Sequence, residues 1–377
     1  MTLFKDISQQ KFIDDIWQKK PFVFEHSFPY IAELTDGNDL AGLACDTEVE
    51  SRIISGHGLN GDWQCQQGPF ESNDFAKLPE TNWTLLVQGL DQWSDQARAI
   101  LERFNFLPKW RLEDIMASYA PTGGSVGPHF DYYDVFLIQA SGSREWKLGQ
   151  QCDHNTALQD NQQVKLLEQF DCQETHQIHA GDMIYIPAGA AHWGVATTDD
   201  CITLSVGFRA PSNNETLIQS LELMIEQLSE QDLSDRYKDS PASIDSHPYK
   251  INQQVVDSLP TLLNLQTQTN ASLTEQAFGQ LVTEQRHFAE DAEHEDWNAE
   301  DLAEFLQNNA ACELIQDTSA RFAFTENYLF VNGEAFETSE AFSKMICNGL
   351  IERELQGTEL EVLLNLLNEG AVQIKRH

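Results

Sequence analysis

Two histidines and one aspartate in this chain have the residue types and the spacing of a metal site. His129 and Asp131 are two positions apart within residues 127–131, GPHFD, and His192 ends the segment 181–192, GDMIYIPAGAAH. On a β-strand, residues i and i+2 point to the same face, so His129 and Asp131 would converge on one ion. His192, from a later strand, completes a face of two imidazoles and one carboxylate. That donor set suits non-haem Fe(II), because the opposite coordination positions stay open for a cosubstrate and dioxygen.

The segment around His192 makes this interpretation more specific. A His-x-Asp pair alone is weak, since two polar residues two positions apart often form a solvated strand face. Gly181 and Asp182 are typical of a tight turn, residues 183–186 of a buried strand, and residues 187–189 of a second turn that presents His192. This order of Gly, Pro, Gly and His fits the second signature of double-stranded β-helix barrels of the cupin type. The alternative is that His192 only ends a loop and that the two segments lie apart.

The chain length and the cysteine content limit the classes of protein to which this chain can belong. A chain of 377 residues can bury a large core and suggests two or three domains. It has no run of the roughly 20 apolar residues that span a bilayer, and its first residues lack the basic start and apolar core of a secretion signal. The seven cysteines are odd in number and contain no Cys-x-x-Cys pair. We therefore expect reduced thiols, a cytoplasmic location and no membrane partner.

The net charge of −37 is the second strong feature of the composition. Binding to nucleic-acid phosphates needs clustered Lys and Arg, so the charge argues against a direct nucleic-acid partner. An acidic surface instead attracts basic partners and speeds their encounter. Charge alone is equally compatible with a surface that only serves solubility.

The first 211 residues have the pattern of a β-barrel or sandwich, because short strands alternate with Gly and Pro turns. The predicted strands are residues 83–88, 115–119, 132–139, 144–148, 178–186 and 201–209, and Phe12, Ile13 and Ile16 predict a helix before them.

The pattern changes to helical after Pro211. One apolar series at helical spacing is Leu217, Leu221, Met224 and Leu228, and a second is Ile251, Val255, Leu259 and Leu262. These helices would pack on each other or on a second subunit, and the pattern does not separate the two arrangements.

The C-terminal part has a winged-helix-like pattern. Helices are predicted around residues 302–306 and 358–367, and a hairpin is predicted at residues 321–324 and 328–331. From Gln276 onward there are six basic and twenty acidic residues, which disfavours contact with DNA.

The chain resembles the JmjC-domain ribosomal oxygenases of bacteria, and among them the arginine hydroxylases of large-subunit ribosomal protein sixteen. The segments that carry the resemblance are residues 127–136, GPHFDYYDVF; 142–146, GSREW; 184–192, IYIPAGAAH; and 205–211, SVGFRAP. The resemblance implies an α+β protein with a double-stranded β-helix (cupin/JmjC) barrel, a helical dimerisation segment and a winged-helix-like C-terminal domain. The expected domains are residues 1–210, 211–275 and 276–377.

The resemblance implies a protein hydroxylase that uses Fe(II), with 2-oxoglutarate and dioxygen as cosubstrates. His129, Asp131 and His192 would hold the iron. Arg144 would bind the distal carboxylate of 2-oxoglutarate, since a guanidinium grips a carboxylate with two parallel hydrogen bonds. Lys147 is the competitor, but strand alternation places it on the opposite face. The alternative for Arg144 is an ordinary surface arginine.

Several neighbouring residues are weaker candidates. Ser118 and Ser205 would donate hydrogen bonds to the cosubstrate, although isolated serines are more often structural. Residues that flank the ligands and would shape the substrate entrance are Tyr132, Tyr133, Asp134 and Trp193, although aromatic residues in a barrel are more often core. His176 and His179 are predicted to lie in an exposed loop.

The implied substrate is an arginyl side chain of a basic large-subunit ribosomal protein, and the implied assembly is a homodimer. Two alternatives stay open. One keeps the chemistry but changes the target to a histidyl residue or another basic protein, since the entrance loops and not the triad select the substrate. The other is a non-catalytic metal-binding module of the cupin type.

Overall fold

The computed structural model describes residues 7–29, 31–160, 164–230, 253, 256, 271–285, 296–309, 311–351 and 355–375. The chain divides into two compact units, Met1–Ala210 and Pro211–His377. Each unit contains its own cluster of buried apolar side chains. None of the helices in the described ranges combines the length and the apolar composition that a membrane span requires.

The first unit begins with the predicted helix. The Ser8 side chain caps it by accepting a hydrogen bond from the backbone N–H of Lys11, and Phe12 is fully buried. Such a cap satisfies one of the N–H groups that a helix start leaves unpaired. The α-helices of this unit span Gln9–Asp15, Gly37–Leu43, Ser72–Phe75, Leu90–Trp93 and Asp95–Leu101, and short 3-10 helices span Ile31–Glu33, Glu102–Phe104 and Lys109–Arg111.

The described strands of the first unit form two antiparallel sheets. The strands are β1 (Phe22–Phe24), β2 (Ser51–Ser55), β3 (Gln64–Gln67), β4 (Trp83–Val87), β5 (Leu112–Ala120), β6 (Asp134–Ser141), β7 (Ser143–Gln151), β8 (Glu174–His179), β9 (Met183–Ile186), β10 (Ala190–Ala196) and β11 (Cys201–Phe208). The larger sheet has the order β1-β9-β6-β11-β5-β4-β2-β3, and the smaller has the order β10-β7-β8.

Strand β6 shows how the two sheets pack. Phe136 and Ile138 belong to the apolar cluster that the helices cover. Val135 and Leu137 belong to a second cluster, which also contains Trp146 of β7. Because successive side chains of a strand point to opposite faces, one face of β6 meets the helices and the other meets the smaller sheet. The candidate site lies in this space between the sheets.

The prediction of one strand over residues 178–186 is wrong. Strand β8 ends at His179, and β9 follows in the other sheet. Gly181 between them has a φ of +93°, which side chains rarely allow. The Asp182 carboxylate accepts the backbone N–H of His179 at 3.0 Å. This turn therefore carries the chain from one sheet to the other, from the largely exposed strand β8 to the fully buried strand β9.

The second unit contains the hairpin and the two helices predicted for its C-terminal part. Residues 321–331 form the hairpin, and helices are present around residues 302–306 and 358–367. Its helices span Asn213–Glu230, Ala271–Thr283, Ala299–Asn308, Glu340–Cys347 and Thr358–Asn368. Its two three-stranded sheets consist of Leu350–Ile351, Cys312–Gln316 and Val372–Ile374, and of Phe322–Phe324, Tyr328–Val331 and Glu334–Glu337. The first predicted helical series lies in Asn213–Glu230, whereas Ile251, Val255, Leu259 and Leu262 of the second lie outside the described residues.

Candidate metal centre

His192 stands on strand β10, opposite Leu148 of β7. The turn before it requires glycine at position 189, where φ is +78°. The backbone N–H of Gly189 donates to the carbonyl oxygen of Asp131 at 2.7 Å. The turn therefore ties the segment of His192 to that of Asp131, and the His192 side chain is buried.

His129 and Asp131 lie in the connection between β5 and β6, and not on a regular strand as the sequence predicts. His129 forms an isolated β-bridge with His192. The backbone N–H of His129 donates to the carbonyl oxygen of His192 at 3.0 Å, and the reverse bond measures 2.8 Å. The bridge brings the two histidines side by side, and Asp131 converges on them without a strand.

The three side chains surround one point. The Nε2 atoms of His192 and His129 lie 3.6 and 3.9 Å from Oδ2 of Asp131, and the donor atoms of all three lie within 4.8 Å of one another. The Nδ1 atoms of His129 and His192 each lie 2.9 Å from a carbonyl oxygen, of Gly127 and Ala190 respectively. A carbonyl oxygen only accepts, so each Nδ1 carries the proton and each Nε2 presents its lone pair beside Asp131.

Burial and neighbouring charges keep the His192 side chain in its neutral, metal-binding form. The pKa of His192 is lowered to about 4, chiefly by burial and then by the neighbouring His129, whose effect exceeds the opposing effect of Asp131. A neutral imidazole is the form that binds a metal ion. Burial, followed by the charges of Asp131 and Asp114, raises the pKa of Tyr133, so its hydroxyl keeps its proton and donates to Asp131.

A cavity of about 480 Å³ lies beside the three side chains, between the two sheets. Binding pockets for small molecules have volumes of this order. All the site residues that the sequence predicts line it: His129, Asp131, His192, Arg144, Ser118 and Ser205. The structure thus brings the predicted set together, and the role of each residue stays a prediction.

Arg144 is a buried cation in this cavity. It is 3% exposed, so the alternative of an ordinary surface arginine is wrong. Among the described residues, neither its Nε nor its Nη2 has a hydrogen-bond partner. Lys147 of the same strand pairs with Glu145 at 3.2 Å and does not line the cavity, which confirms the predicted alternation. Because an unpaired buried charge is costly, Arg144 favours an anion in the cavity.

The two serines face the cavity from paired strands. Ser118 is on β5 and Ser205 is on β11. The Ser118 hydroxyl donates to the carbonyl oxygen of Thr203 at 3.2 Å, so it also has a structural hydrogen bond. The Ser205 hydroxyl, which also lines the cavity, can donate to an acceptor oxygen of a ligand.

Sequence reasoning missed Asp114. It is 5% exposed and lines the cavity from β5. Its carboxylate accepts hydrogen bonds from Nε2 of Gln88 at 2.7 Å and from the backbone N–H of Gly89 at 3.0 Å. Alternation along β5 places Asp114 and Ser118 on one face, and this signal was present in the sequence.

The residues predicted to shape the substrate entrance do not all lie at the cavity. Tyr133 lines the cavity, and Tyr132 is 70% exposed. Asp134 is fully buried on the other face, where its carboxylate accepts from the Tyr185 hydroxyl at 2.6 Å and pairs with Arg111 at 2.9 Å. The prediction that Asp134 shapes the entrance is therefore wrong.

No second group of His, Cys, Asp or Glu donors in the described ranges is close enough to hold a metal ion. His176 and His179 lie on β8, and not in the predicted loop. His176 contacts Glu174 through Nε2 at 3.0 Å. The donor set of two imidazole nitrogens and one carboxylate oxygen fits a divalent transition ion with open positions toward the cavity.

Comparison with known proteins agrees with this geometry. A family model described as a JmjC domain matches residues 99–216, and one described as a ROXA-like winged helix matches residues 265–373. A probable ribosomal oxygenase of Haemophilus influenzae is 34% identical over 340 residues, which are 87% of this chain and 82% of that protein. The ribosomal protein uL16 3-hydroxylase of Escherichia coli is 31% identical over 375 residues, 95% of each chain.

The chain belongs to the JmjC ribosomal oxygenase family. The fold of this ribosomal oxygenase is similar to an X-ray structure of Escherichia coli YcfD, with a TM-score of 0.84, 28% identity and complete coverage of both chains. A structure of YcfD in complex with cobalt and 2-oxoglutarate has a TM-score of 0.80 and 29% identity, and covers 98% of this chain and 99% of that one. The histidyl-hydroxylase and lysine-specific demethylase NO66 of Dictyostelium discoideum is 35% identical over 89 residues, 22% of this chain and 16% of that protein. The predicted barrel and winged-helix fold is confirmed.

Proposed function

We propose that this ribosomal oxygenase is an Fe(II)- and 2-oxoglutarate-dependent hydroxylase of an arginyl side chain in a large-subunit ribosomal protein. One observation carries the proposal. The Nε2 atoms of His129 and His192 and the Asp131 carboxylate meet in a cavity that also contains the buried, unpartnered donors of Arg144. A metal ion and a carboxylate ligand would satisfy both sets of groups.

The triad would hold the iron. Bound iron would supply the activation of dioxygen that hydroxylation of a carbon needs. The chain contributes rigidity, since the Nδ1 anchors of His129 and His192 fix both rings. Tyr133 contributes a hydrogen bond to Asp131, which holds the orientation of the carboxylate.

Arg144 would hold the distal carboxylate of 2-oxoglutarate. The YcfD complex with cobalt and 2-oxoglutarate supports this ligand for the cavity. Arg144 is buried, and a charge-assisted hydrogen bond is stronger in a buried site than in water. Ser205 would donate a hydrogen bond from β11, and Ser118 would do so from β5 by turning its hydroxyl away from the carbonyl oxygen of Thr203.

Asp114 supports a cationic target. The carboxylate of Asp114, which Gln88 and Gly89 hold in place, adds negative charge to the same cavity as the triad, and this charge favours a cationic side chain over an anionic one. The name of the relative that hydroxylates ribosomal protein uL16 supports a ribosomal protein as the substrate. The segment shared with NO66 keeps a histidyl target as the alternative.

Charge and an exposed apolar stripe support the proposed partners. The net charge of −37 favours a basic protein over nucleic acid. Four apolar side chains of the helix Asn213–Glu230 are between 45% and 66% exposed: Leu217, Ile218, Leu221 and Ile225. A stripe of this kind favours a homodimer, because apolar helix faces are normally covered. The cytoplasmic location stays a prediction.

Mass spectrometry tests the proposal. Iron-loaded protein with 2-oxoglutarate should add one oxygen atom to an arginine-containing peptide of its host's ribosomal protein, with matching release of succinate. The Asp131→Ala variant is the negative control, and His176→Ala is the matched control for loss of an unrelated histidine. One oxygen on a histidine would favour the alternative target, and no transfer to any ribosomal protein would contradict the proposal.

A further inference from the structure

Buried N–H groups without hydrogen-bond partners lie close together on β7. In the part of the chain that the structure describes, these groups are Nε and Nη2 of Arg144 and Nε1 of Trp146. The two side chains are 3% and 4% exposed, and both line the cavity beside the metal centre. They are two positions apart, so they share one face of the strand. Folded proteins rarely leave buried donors unpaired, and three in one place indicate a ligand with several acceptor oxygens.

The packing of the indole decides where its N–H lies. Trp146 is opposite Gly194 of β10. A Cβ atom on Gly194 would come within 2.6 Å of Cζ3 and Cη2 of the indole. The six-membered ring therefore presses on the backbone of β10, and Nε1, on the other edge of the indole, is turned away from Gly194.

Trp146 lies close to Arg144, the proposed carboxylate-binding residue, and to the metal ligand His192. Its ring centroid lies 5.7 Å from Cζ of Arg144 and 5.9 Å from the ring centroid of His192. Apolar packing against Val135 and Leu137 would be equally served by a phenylalanine. The packing of the ring thus leaves the N–H unexplained.

Trp193 provides the internal comparison. It follows the ligand His192 on β10, but its Nε1 donates to the Ser125 hydroxyl at 3.1 Å. Of the eight tryptophans, all of which the structure describes, only Trp146 lines the cavity.

We propose that Trp146 is a further cosubstrate-binding residue. Its indole N–H donates a hydrogen bond to the carboxylate that Arg144 grips, so the distal end of the dicarboxylic keto acid is held by two side chains of one strand. The indole packs against Gly194, and this packing fixes the direction in which its N–H donates. The inference rests on the proposed function, because it needs 2-oxoglutarate in the cavity.

Nuclear magnetic resonance of the indole N–H groups tests the inference directly. The full chain is labelled with ¹⁵N-tryptophan, loaded with diamagnetic Zn²⁺ and titrated with 2-oxoglutarate. One indole signal should shift downfield in the proton dimension and saturate, and Trp146→Phe should remove that signal. Because only one tryptophan lines the cavity, the wild-type titration remains decisive if the variant folds poorly.

Calorimetry supplies the second measurement. Trp146→Phe should weaken 2-oxoglutarate binding about ten-fold, as expected for one hydrogen bond to a charged group. The matched control Trp83→Phe, at an indole whose N–H donates to the carbonyl oxygen of Pro79 and which does not line the cavity, should bind as the wild type does. Suppose that the wild type binds 2-oxoglutarate, that no indole signal moves and that both variants bind equally. The indole N–H of Trp146 then does not contact the cosubstrate, and only this inference fails. If the wild type binds no 2-oxoglutarate, the proposed function fails with it.

Discussion

The backbone N–H of His129 donates to the carbonyl oxygen of His192 at 3.0 Å, and the backbone N–H of His192 donates to the carbonyl oxygen of His129 at 2.8 Å. This pair joins two segments that are distant in sequence. The spacing of the two imidazoles is therefore set by backbone pairing and not by flexible side chains. Such a site is organised before an ion arrives, which is what a precise metal centre requires.

Acidification should destabilise the metal-free protein through His192. Its pKa is about 4 in the folded chain and near 6.5 when unfolded, so between these values the unfolded chain binds more protons. The stabilisation is complete above about pH 6.5 and is lost as the pH falls toward 4. We expect a loss of about 2 kcal/mol between pH 7 and pH 5 from this group. Urea unfolding with a chelator measures it, and His192→Leu should lack this part of the pH dependence. An unchanged slope in that variant would contradict the assignment.

Replacing Arg144 should affect the keto acid selectively. Arg144→Lys keeps the charge but loses the two parallel hydrogen bonds, so the KM for 2-oxoglutarate should rise by about ten-fold or more. Steady-state release of succinate measures this. Lys147→Met is the matched control, because Lys147 pairs with Glu145 outside the cavity. Equal effects of the two variants would show that Arg144 has no special role.

The buried pair of Asp134 and Arg111 should stabilise the first unit. Asp134 is fully buried, and its partner's side chain is 12% exposed. Asp134→Ala leaves that cation unpaired and should lower the free energy of unfolding by about 3–5 kcal/mol. Tyr185→Phe removes one hydrogen bond to the carboxylate and should cost about 1–3 kcal/mol. Denaturant unfolding measures both.

A double variant provides the check on that pair. Asp134→Ala combined with Arg111→Met should cost less than the sum of the single changes, because no buried charge is left behind. Strict additivity would mean that the two residues stabilise the unit independently.

The exposed stripe on Asn213–Glu230 should determine the oligomeric state. Leu217→Glu combined with Ile225→Glu places charges in the proposed interface, so the protein should sediment as a monomer. Glu222→Gln, at an exposed polar position of the same helix, is the control and should remain a dimer. A wild-type chain that sediments only as a monomer would contradict the homodimer.

The triad could be predicted from the sequence because residue type and local spacing carry its signal. The β-bridge between His129 and His192 could not, since long-range pairing leaves no local pattern. The local sequence indicates the turn at Gly181, but it carries no signal that the chain changes sheet there, because sheet membership depends on long-range strand pairing. Alternation along β5 indicates the face of Asp114, but its hydrogen bond from Gln88 forms only when β5 pairs with β4.

Metal stoichiometry tests the central claim most directly. Purified wild-type protein, dialysed against Fe(II) without oxygen and analysed by elemental mass spectrometry, should hold one iron per chain. Asp131→Ala and His192→Ala should each lose the iron, whereas His176→Ala should keep it. Full iron occupancy in Asp131→Ala, or none in the wild type, would contradict the assignment of His129, Asp131 and His192 as the metal ligands.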